Sequence, residues 1–382
     1  MVNREHPLVK RLDRFLEFLI ENGGSDLHIK AGAETRGRIN GSLTKFTKTV
    51  FSEEDSLELT RALVGDSGID ELQVRKSLDF SYALNKDYRF RVNLFKQING
   101  ISFVFRAIPT SIPTIDDLKL PEVIKKITDE SMRGLVLITG PTGSGKTTTI
   151  ASMINRINHS RLSHIVSIED PVEFVYNDSK CIINQRSIGE DCNTFSDSLR
   201  AALREDPDII FVGEMRDLET IDTALHAAET GHLVLSTLHT VDAKETINRI
   251  VSMFGSKEQE RVRLSLASVL EAVISQRLVL TTDGKRRAAV EVLRKTVRIK
   301  DMILENRIHE ITDAMKESGD SYGMQTFDEH LLELYRDGII SREEALDKST
   351  IRSDLDLAIK NVIAERGGNQ INEDNIPKLK EL

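Results

Sequence analysis

The stretch GLVLITGPTGSGKTTTI, residues 134–150, decides how this chain folds. It opens as a short apolar run, passes through a loop holding Gly140, Gly143 and Gly145, and enters a helical pattern, TTTIASMINRI. Within it, Gly140-Pro141-Thr142-Gly143-Ser144-Gly145-Lys146-Thr147 is a complete G-x-x-x-x-G-K-T, set between a strand and a helix as that motif requires. Its glycines let backbone N–H groups curl around phosphate oxygens, and the start of the next helix favours negative charge. Lys146 is placed to reach the β and γ phosphates, Thr148 continues the lining, and the Thr147 hydroxyl is placed for Mg²⁺.

Working outward, HIVSIED (164–170), DIIFVGE (208–214) and HLVLSTLH (232–239) are also nearly continuous apolar runs with helical stretches between them. Strands that alternate with helices and are apolar throughout read as a parallel sheet covered on both faces. Ligands bind beyond the carboxyl ends of such strands. Glu169, Asp170 and Glu173 follow one strand and Glu214 follows another. No Asp occupies position 213, so the metal and water chemistry is expected to be shared by two acidic strand ends. His232 and His239 close the two ends of LVLSTL. A strand rises roughly 3.3 Å per residue, so the two rings are on the order of 20 Å apart and cannot share one metal.

Before this core the chain reads differently. Leu8, Leu12, Phe15, Leu16 and Leu19 recur at helical spacing up to Gly23-Gly24. SDLHIKAG reads as a strand, and Ser52 with Asp55 as a capping box that opens a helix to about Leu63. SLDFSYAL, YRFRVNLF and ISFVFRAI alternate with period two and read as antiparallel strands. An Asn99-Gly100 turn would set Asn93 opposite Arg106, with Arg91 as its diagonal neighbour and Arg89 beyond. Clustered arginines on one face read either as a solvated surface or as a clamp on a nucleotide phosphate. IPTSIPT (108–114) reads as a linker. Beyond Val297 the pattern is mostly helical, with a capping box expected at Ser341 and Glu344 and a loose polar tail from Arg366.

Composition limits the alternatives. The chain has 382 residues and a formal net charge of −9. That charge argues against a nucleic-acid motor, although a local basic patch is compatible with it. Cys181 and Cys192 are the only two cysteines, too few for a Cys₄ zinc site, so no zinc is expected. No apolar h-region opens the sequence and no apolar run is long enough to span a bilayer, so a cytoplasmic protein without direct membrane insertion is expected.

The combination of IEDPVEF, LRAALREDPDIIFVGEMRD, ETGHLVLSTLHT and GMQTFD resembles the type II/type IV secretion ATPases, and most closely the PilT/PilU family of type IV pilus retraction ATPases. The resemblance runs from GGSDLHIKAG to GMQTFDEHLLELY. It implies a RecA-like P-loop NTPase core (113–296), preceded by a small PAS-like α+β domain (1–112) and followed by a helical C-terminal part (297–382). It makes Gly140–Thr147 the Walker A loop, Glu169, Asp170 and Glu173 an acidic box, Glu214 the Walker B acid, and His232 and His239 a histidine box. It places Arg91, Arg106, Arg200 and Arg204 near ATP, with Arg200 and Arg204 four apart on one helix face. It implies ATP and Mg²⁺, a homo-oligomeric ring of six, an inner-membrane platform protein as partner, sometimes a paralogous ATPase, and a position at the cytoplasmic face of the inner membrane at the pilus base. A PilU-like accessory ATPase, an assembly-type secretion ATPase and a nucleotide-gated scaffold remain as other readings.

Overall fold

A computed structural model describes residues 2–39, 41–85, 88–108 and 111–365. The tail from Arg366 and part of the IPTSIPT segment lie outside the described residues. The chain divides into two compact units, one made of Met1–Ile112, Glu169–Tyr176 and Gln185–Thr194, the other of the remainder.

The first unit begins with α1 (Pro7–Glu21), whose Val9, Leu12, Leu16 and Leu19 are buried at spacings of three and four. Strands β1 (Gly24–Lys30), β2 (Ala33–Ile39) and β3 (Ser42–Phe51) follow, then α2 (Glu53–Arg75), β4 (Ser77–Ala83), β5 (Arg89–Gln97) and β6 (Gly100–Ile108). They form one six-stranded sheet in the order β3-β2-β1-β6-β5-β4. Ser52 and Asp55 cap α2 reciprocally, as the capping box requires. The helix kinks at Gly65, whose φ of 72° is left-handed, and runs on to Arg75. Phe90, Val92 and Leu94 face the helices with Leu27, Phe103 and Phe105. Burying each such side chain contributes roughly 1.5–3 kcal/mol.

The expected β5–β6 hairpin register is off by two residues. Gln97 pairs with Gly100, and Arg91 stands directly opposite Arg106. The turn residues are Ile98 and Asn99, while Gly100 takes a φ of 113° as the first residue of β6. A Cβ at Gly100 would meet Glu53 Cγ at 2.9 Å and Ala31 Cβ at 3.2 Å. The glycine is therefore used for strand entry and close packing under α2, not for the turn itself.

The second unit holds α3 (Glu122–Glu130), β7 (Gly134–Thr139), α4 (Lys146–Ser160), β8 (His164–Glu169), β9 (Ile182–Ser187), α5 (Phe195–Ala202), β10 (Ile209–Val212), α6 (Leu218–Glu229), β11 (Leu233–Leu238), α7 (Ala243–Ser252), α8 (Gln259–Val269), β12 (Leu270–Leu280) and β13 (Arg286–Arg294), except that Glu169 at the end of β8 and the last three residues of β9 count with the first unit. The sheet order is β13-β12-β7-β11-β10-β8-β9. The pairs β12–β7, β7–β11, β11–β10 and β10–β8 are all parallel. Every residue of β7, β10 and β11 is buried, as their continuous apolar runs require.

Helices α9 (Val297–Leu304), α10 (Ile311–Tyr322), α11 (Phe327–Arg336), α12 (Arg342–Lys348) and α13 (Arg352–Glu365) complete the chain. Leu331, Leu334, Ile340, Leu346, Leu355 and Ile359 form a cluster with Val279 of β12 and Ala289 of β13. Ser341 caps α12, but Glu344 turns its carboxylate to the Leu280 N–H at 2.9 Å. The reciprocal box sits instead at Thr326 and Glu329, opening α11. None of the described helices is long and apolar enough to cross a membrane.

Adding a methyl group at Gly100 should be costly on both counts, backbone and contact. Gly100→Ala is expected to lower unfolding free energy by roughly 1–3 kcal/mol. Asn99→Ala in the turn should change it by no more than about 0.5 kcal/mol. Urea unfolding midpoints of the two variants check the corrected turn.

Candidate active site

The strand order brings the carboxyl ends of β7, β11 and β10 side by side. β7 continues into the loop of Gly140–Gly145, and Gly140, Gly143 and Gly145 take φ values of 141°, 80° and 93°. At Gly140 a Cβ would sit 2.4 Å from the Gln276 carbonyl of β12, so the loop must start with glycine for a packing reason as well. Gly145 caps α4 without a side-chain acceptor. The first turn of a helix leaves its N–H groups without intrahelical partners, which makes this end receptive to an anion. Pro141, Thr142 and Gly143 are exposed, while Ser144 is buried and its hydroxyl has no hydrogen-bond partner among the described residues. Thr147 and Thr148, in the first turn of α4, are half-buried. Lys146 is 8% exposed, and its Nζ donates to the Gly140 and Pro141 carbonyls at 2.8 and 3.1 Å. Its cation is thus held inside the loop that would curl around a phosphate.

Strand β12 frames the loop from the side. Thr139 Oγ1 donates to Ser275 Oγ at 2.9 Å, and Gln276 Nε2 donates to Thr149 Oγ1 at 2.9 Å. Neither Ser275 nor Gln276 was distinguishable in the sequence, because nothing local marks a strand that pairs with the loop-bearing strand.

Glu214 follows β10 by two residues. His239 Nε2 lies 3.2 Å from its Oε1, and Arg216 Nη2 lies 2.8 Å from its Oε2. Since β11 lies between β7 and β10, His239 stands between the phosphate loop and Glu214 in the strand order. Burial alone would raise the Glu214 carboxyl. The Arg216 hydrogen bond and the charges of His239 and Arg216 outweigh it and hold the group below the ordinary carboxylate range. Arg216 belongs to the quoted GEMRD run, and its spacing of two from Glu214 was the available signal. An ionised Glu214 and the Thr147 hydroxyl are hard oxygen donors and fit Mg²⁺. Among the described residues no group of three His, Cys, Asp or Glu is placed to hold a metal ion, so phosphate oxygens would have to complete such a site.

Glu169, the third expected metal and water residue, ends β8 and is 4% exposed. It accepts hydrogen bonds from Gln185 Nε2 at 3.3 Å and the Glu173 N–H at 3.4 Å. His232 lies at the other end of β11 from His239. Leu233 pairs with Gly134, at the start of β7 rather than at the loop. His232 Nδ1 contacts Ala227 O at 2.9 Å and Thr230 Oγ1 at 3.2 Å, closing the α6–β11 turn. Within one chain His232 is therefore not part of the phosphate site.

Arg200 lies on α5 and pairs with Glu219, and with Asp197 at 3.6 Å. Arg204 does not share its helix face, because α5 ends at Ala202. The Arg204 N–H bonds to Ala201 O in a tightened last turn, and Pro207 lies three residues on, where a helix could not continue. Arg91 and Arg106 lie in the first unit, on exposed positions of β5 and β6.

A glycine loop under a helix terminus, with an ionised carboxylate and a histidine on the two neighbouring strand ends, defines a phosphate-loop nucleotide hydrolase with a RecA-like core. The chain belongs to the type II/IV secretion system protein family, whose model matches residues 2–346. Within that family it is a pilus-retraction ATPase. It is 44% identical over 340 residues to the type IV pilus retraction ATPase PilT of Pseudomonas aeruginosa, covering 89% of this chain and 98% of that protein. It is 40% identical over 349 residues to the type IV pilus ATPase PilU of the same organism, covering 91% of each. The crystal structure of the pilus retraction motor PilT with bound ADP superposes with a TM-score of 0.84 at 42% identity, over 91% of this chain and 99% of that one.

A buried carboxyl on the edge strand β13 of the same sheet is pushed up toward neutrality. Glu291 of β13 is 7% exposed and accepts the Ala243 N–H at the start of α7 at 2.8 Å. Burial, then Asp242, push it up from 4.5 to about 7, against the Ala243 N–H, Arg277 and Lys244. The folded state then holds an extra proton between about pH 4.5 and 7. Stability therefore falls as pH rises through that window, by at most about 3 kcal/mol. Glu291→Gln keeps the acceptor and abolishes the ionisation. It is expected to raise the melting temperature at pH 8 and leave it nearly unchanged at pH 5, as calorimetry at both pH values would show.

Proposed function

We propose that this chain works as a closed ring of identical subunits, six by its resemblance, that converts ATP hydrolysis into pilus retraction. The ring would act on an inner-membrane platform protein at the cytoplasmic face of the pilus base, in some settings beside a paralogous ATPase. The observation that carries this reading is the meeting of the Gly140–Thr148 loop, His239 and Glu214 on adjacent strand ends. It is supported by the family membership and by the neighbour that carries ADP.

In this reading the loop N–H groups and Lys146 take the β and γ phosphates, the Lys146 ammonium exchanging its loop carbonyls for phosphate oxygens. Thr147 and Glu214 would hold Mg²⁺, which offsets charge on the phosphates when bound. His239 orients the Glu214 carboxylate through their contact and can donate to a phosphate. Glu169 orients the attacking water. Arg91 and Arg106 complete the site of the next subunit, since head-to-tail contacts that close into a ring put one subunit's surface against its neighbour's site. Arg200 and Arg204 are further candidates for holding phosphate charge. For Arg200 this requires release from Glu219.

Glu169→Gln is expected to keep ATP binding and lose turnover by roughly 10²–10⁴. Wild-type turnover in that variant removes Glu169 from the role. The ring arrangement is checked by mixing two inactive variants under conditions where subunits exchange. Arg91→Ala chains keep Lys146, and Lys146→Ala chains keep Arg91. Restored hydrolysis in mixed rings is expected if the arginine acts across the junction. A dead mixture, with mixed rings confirmed by mass, rules that arrangement out.

A further inference from the structure

A single rung crosses the sheet of the first unit. Arg38 of β2 pairs with Asp26 of β1, Asp26 with Arg106 of β6, Arg106 with Arg91 of β5, and Arg91 with Ser81 of β4. Three of these five positions carry guanidinium groups and one carries a carboxylate. Arginines directly opposite each other on one face repel, and cross-strand neighbours sit only about 5 Å apart at Cβ.

The carboxylate is not shared evenly. Arg38 Nη1 turns to the Gly41 carbonyl of its own turn at 2.8 Å. Among the described residues the ion-pair partner of Arg91 is Asp79, at 3.9 Å. Asp26 therefore answers to Arg106, accepting its Nε–H on Oδ1 at 2.8 Å. Its Oδ2 accepts Ser25 Oγ–H at 2.7 Å, so both oxygens are fixed. The two partners differ sharply in exposure: the Asp26 side chain is 9% exposed and that of Arg106 is 68% exposed. Burial would raise the Asp26 carboxyl, but bonds from Arg106 and Ser25 and the charge of Arg106 outweigh it and keep the group ionised. His28, two residues on and facing the same side, is held below its ordinary value by burial and by Arg38 and Arg106, against the pull of Asp26.

The way Arg106 is held matters for what it can do. The bond from Asp26 engages Nε alone. Among the described residues neither terminal nitrogen of Arg106 makes a hydrogen bond to protein, and the side chain is largely exposed. A guanidinium anchored at Nε still presents its two terminal nitrogens as a planar pair, the form that grips a phosphate bidentately. An unanchored arginine opposite Arg91 would be pushed aside by it.

We infer that Asp26 is a positioning residue that aims the Arg106 fork at the phosphates of a nucleotide held by the neighbouring subunit. The inference rests on the reading of Arg106 given under Proposed function. Asp26 touches no nucleotide itself; it fixes the direction of a group that does. Misaiming such a group costs up to about 10² in rate even when binding is intact.

The test is steady-state ATP hydrolysis by full-length assembled rings of Asp26→Asn, Asp26→Ala, Arg106→Ala and the Asp26→Ala/Arg106→Ala double variant, with ADP affinity and melting temperature measured on each. Asp26→Ala is expected to lower kcat by roughly 10- to 100-fold with ADP affinity within about twofold of wild type. Asp26→Asn keeps an acceptor for Nε and should fall between wild type and Asp26→Ala. The double variant should be no slower than Arg106→Ala, since an aiming residue has nothing left to aim. A merely structural role would slow the double variant further and would track melting temperature. Either that result or wild-type kcat in Asp26→Asn and Asp26→Ala, with Arg106→Ala inactive, overturns the inference while leaving the role of Arg106 intact. If Arg106→Ala itself hydrolyses at the wild-type rate, the parent reading fails and this one with it. Should Asp26→Ala fail to fold, Asp26→Asn against Arg106→Ala and the Asp26→Asn/Arg106→Ala double variant carry the same comparison.

Discussion

The second unit depends on the close approach between Gly140 and the Gln276 carbonyl of β12. A side chain at position 140 would collide with backbone that cannot yield, so the phosphate loop and the β7–β12 pairing exist only together. That approach fixes where the loop begins. The Thr139–Ser275 and Gln276–Thr149 hydrogen bonds then hold strand, loop and helix in one frame. Fixed donors of this kind are what electrostatic catalysis needs, because they are already aimed before charge develops.

From that frame the remaining chemistry is a matter of strand order. β11 lies between β7 and β10, so the residue after β11 is the natural go-between for phosphate loop and Walker B acid. His239 occupies it and contacts Glu214. Thr237 Oγ1 donates to the Gly213 carbonyl at 2.7 Å, tying the same two strand ends together. The acid, one step beyond Gly213, reaches His239. Glu291 lies at the far edge of the same sheet, where it joins β13 to the start of α7, the helix that leaves the His239 end.

What could be read from sequence followed how local the physics was. The phosphate loop needs only a strand, three glycines, a lysine and a helix in series, and its whole meaning lies within 17 residues. The core strands were readable because burial on both faces demands unbroken apolar runs. Strands β2 and β3 were not read, since AETRGRI and SLTKFTKTVF have polar residues on most positions and are held by pairing across the sheet. The hairpin register slipped because Asn99-Gly100 is a good turn on its own, whereas the packing of Gly100 beneath α2 is a tertiary constraint invisible in a dipeptide. That slip moved Arg91 from diagonal to directly opposite Arg106. The end of α5 is hidden for a related reason: four-residue spacing between Arg200 and Arg204 suggests a shared face, but the chain leaves the helix at Ala202, ahead of Pro207.

The direct facing of Arg91 and Arg106 has a consequence for how the protein meets its medium. Mobile ions screen exposed charges, more completely as the separation approaches the roughly 10 Å screening length of 0.1 M salt, and they act far less on buried charges. The exposed guanidinium pair is open to such screening, while the buried Asp26 carboxylate that anchors Arg106 is much less so. Ionic strength therefore relaxes the repulsion between Arg91 and Arg106 more than the attraction between Asp26 and Arg106, the reverse of its effect on an exposed pair such as Arg200 and Glu219. The facing that makes this rung receptive to phosphate makes the rung's own contribution to stability answer to salt in the opposite sense to an exposed ion pair.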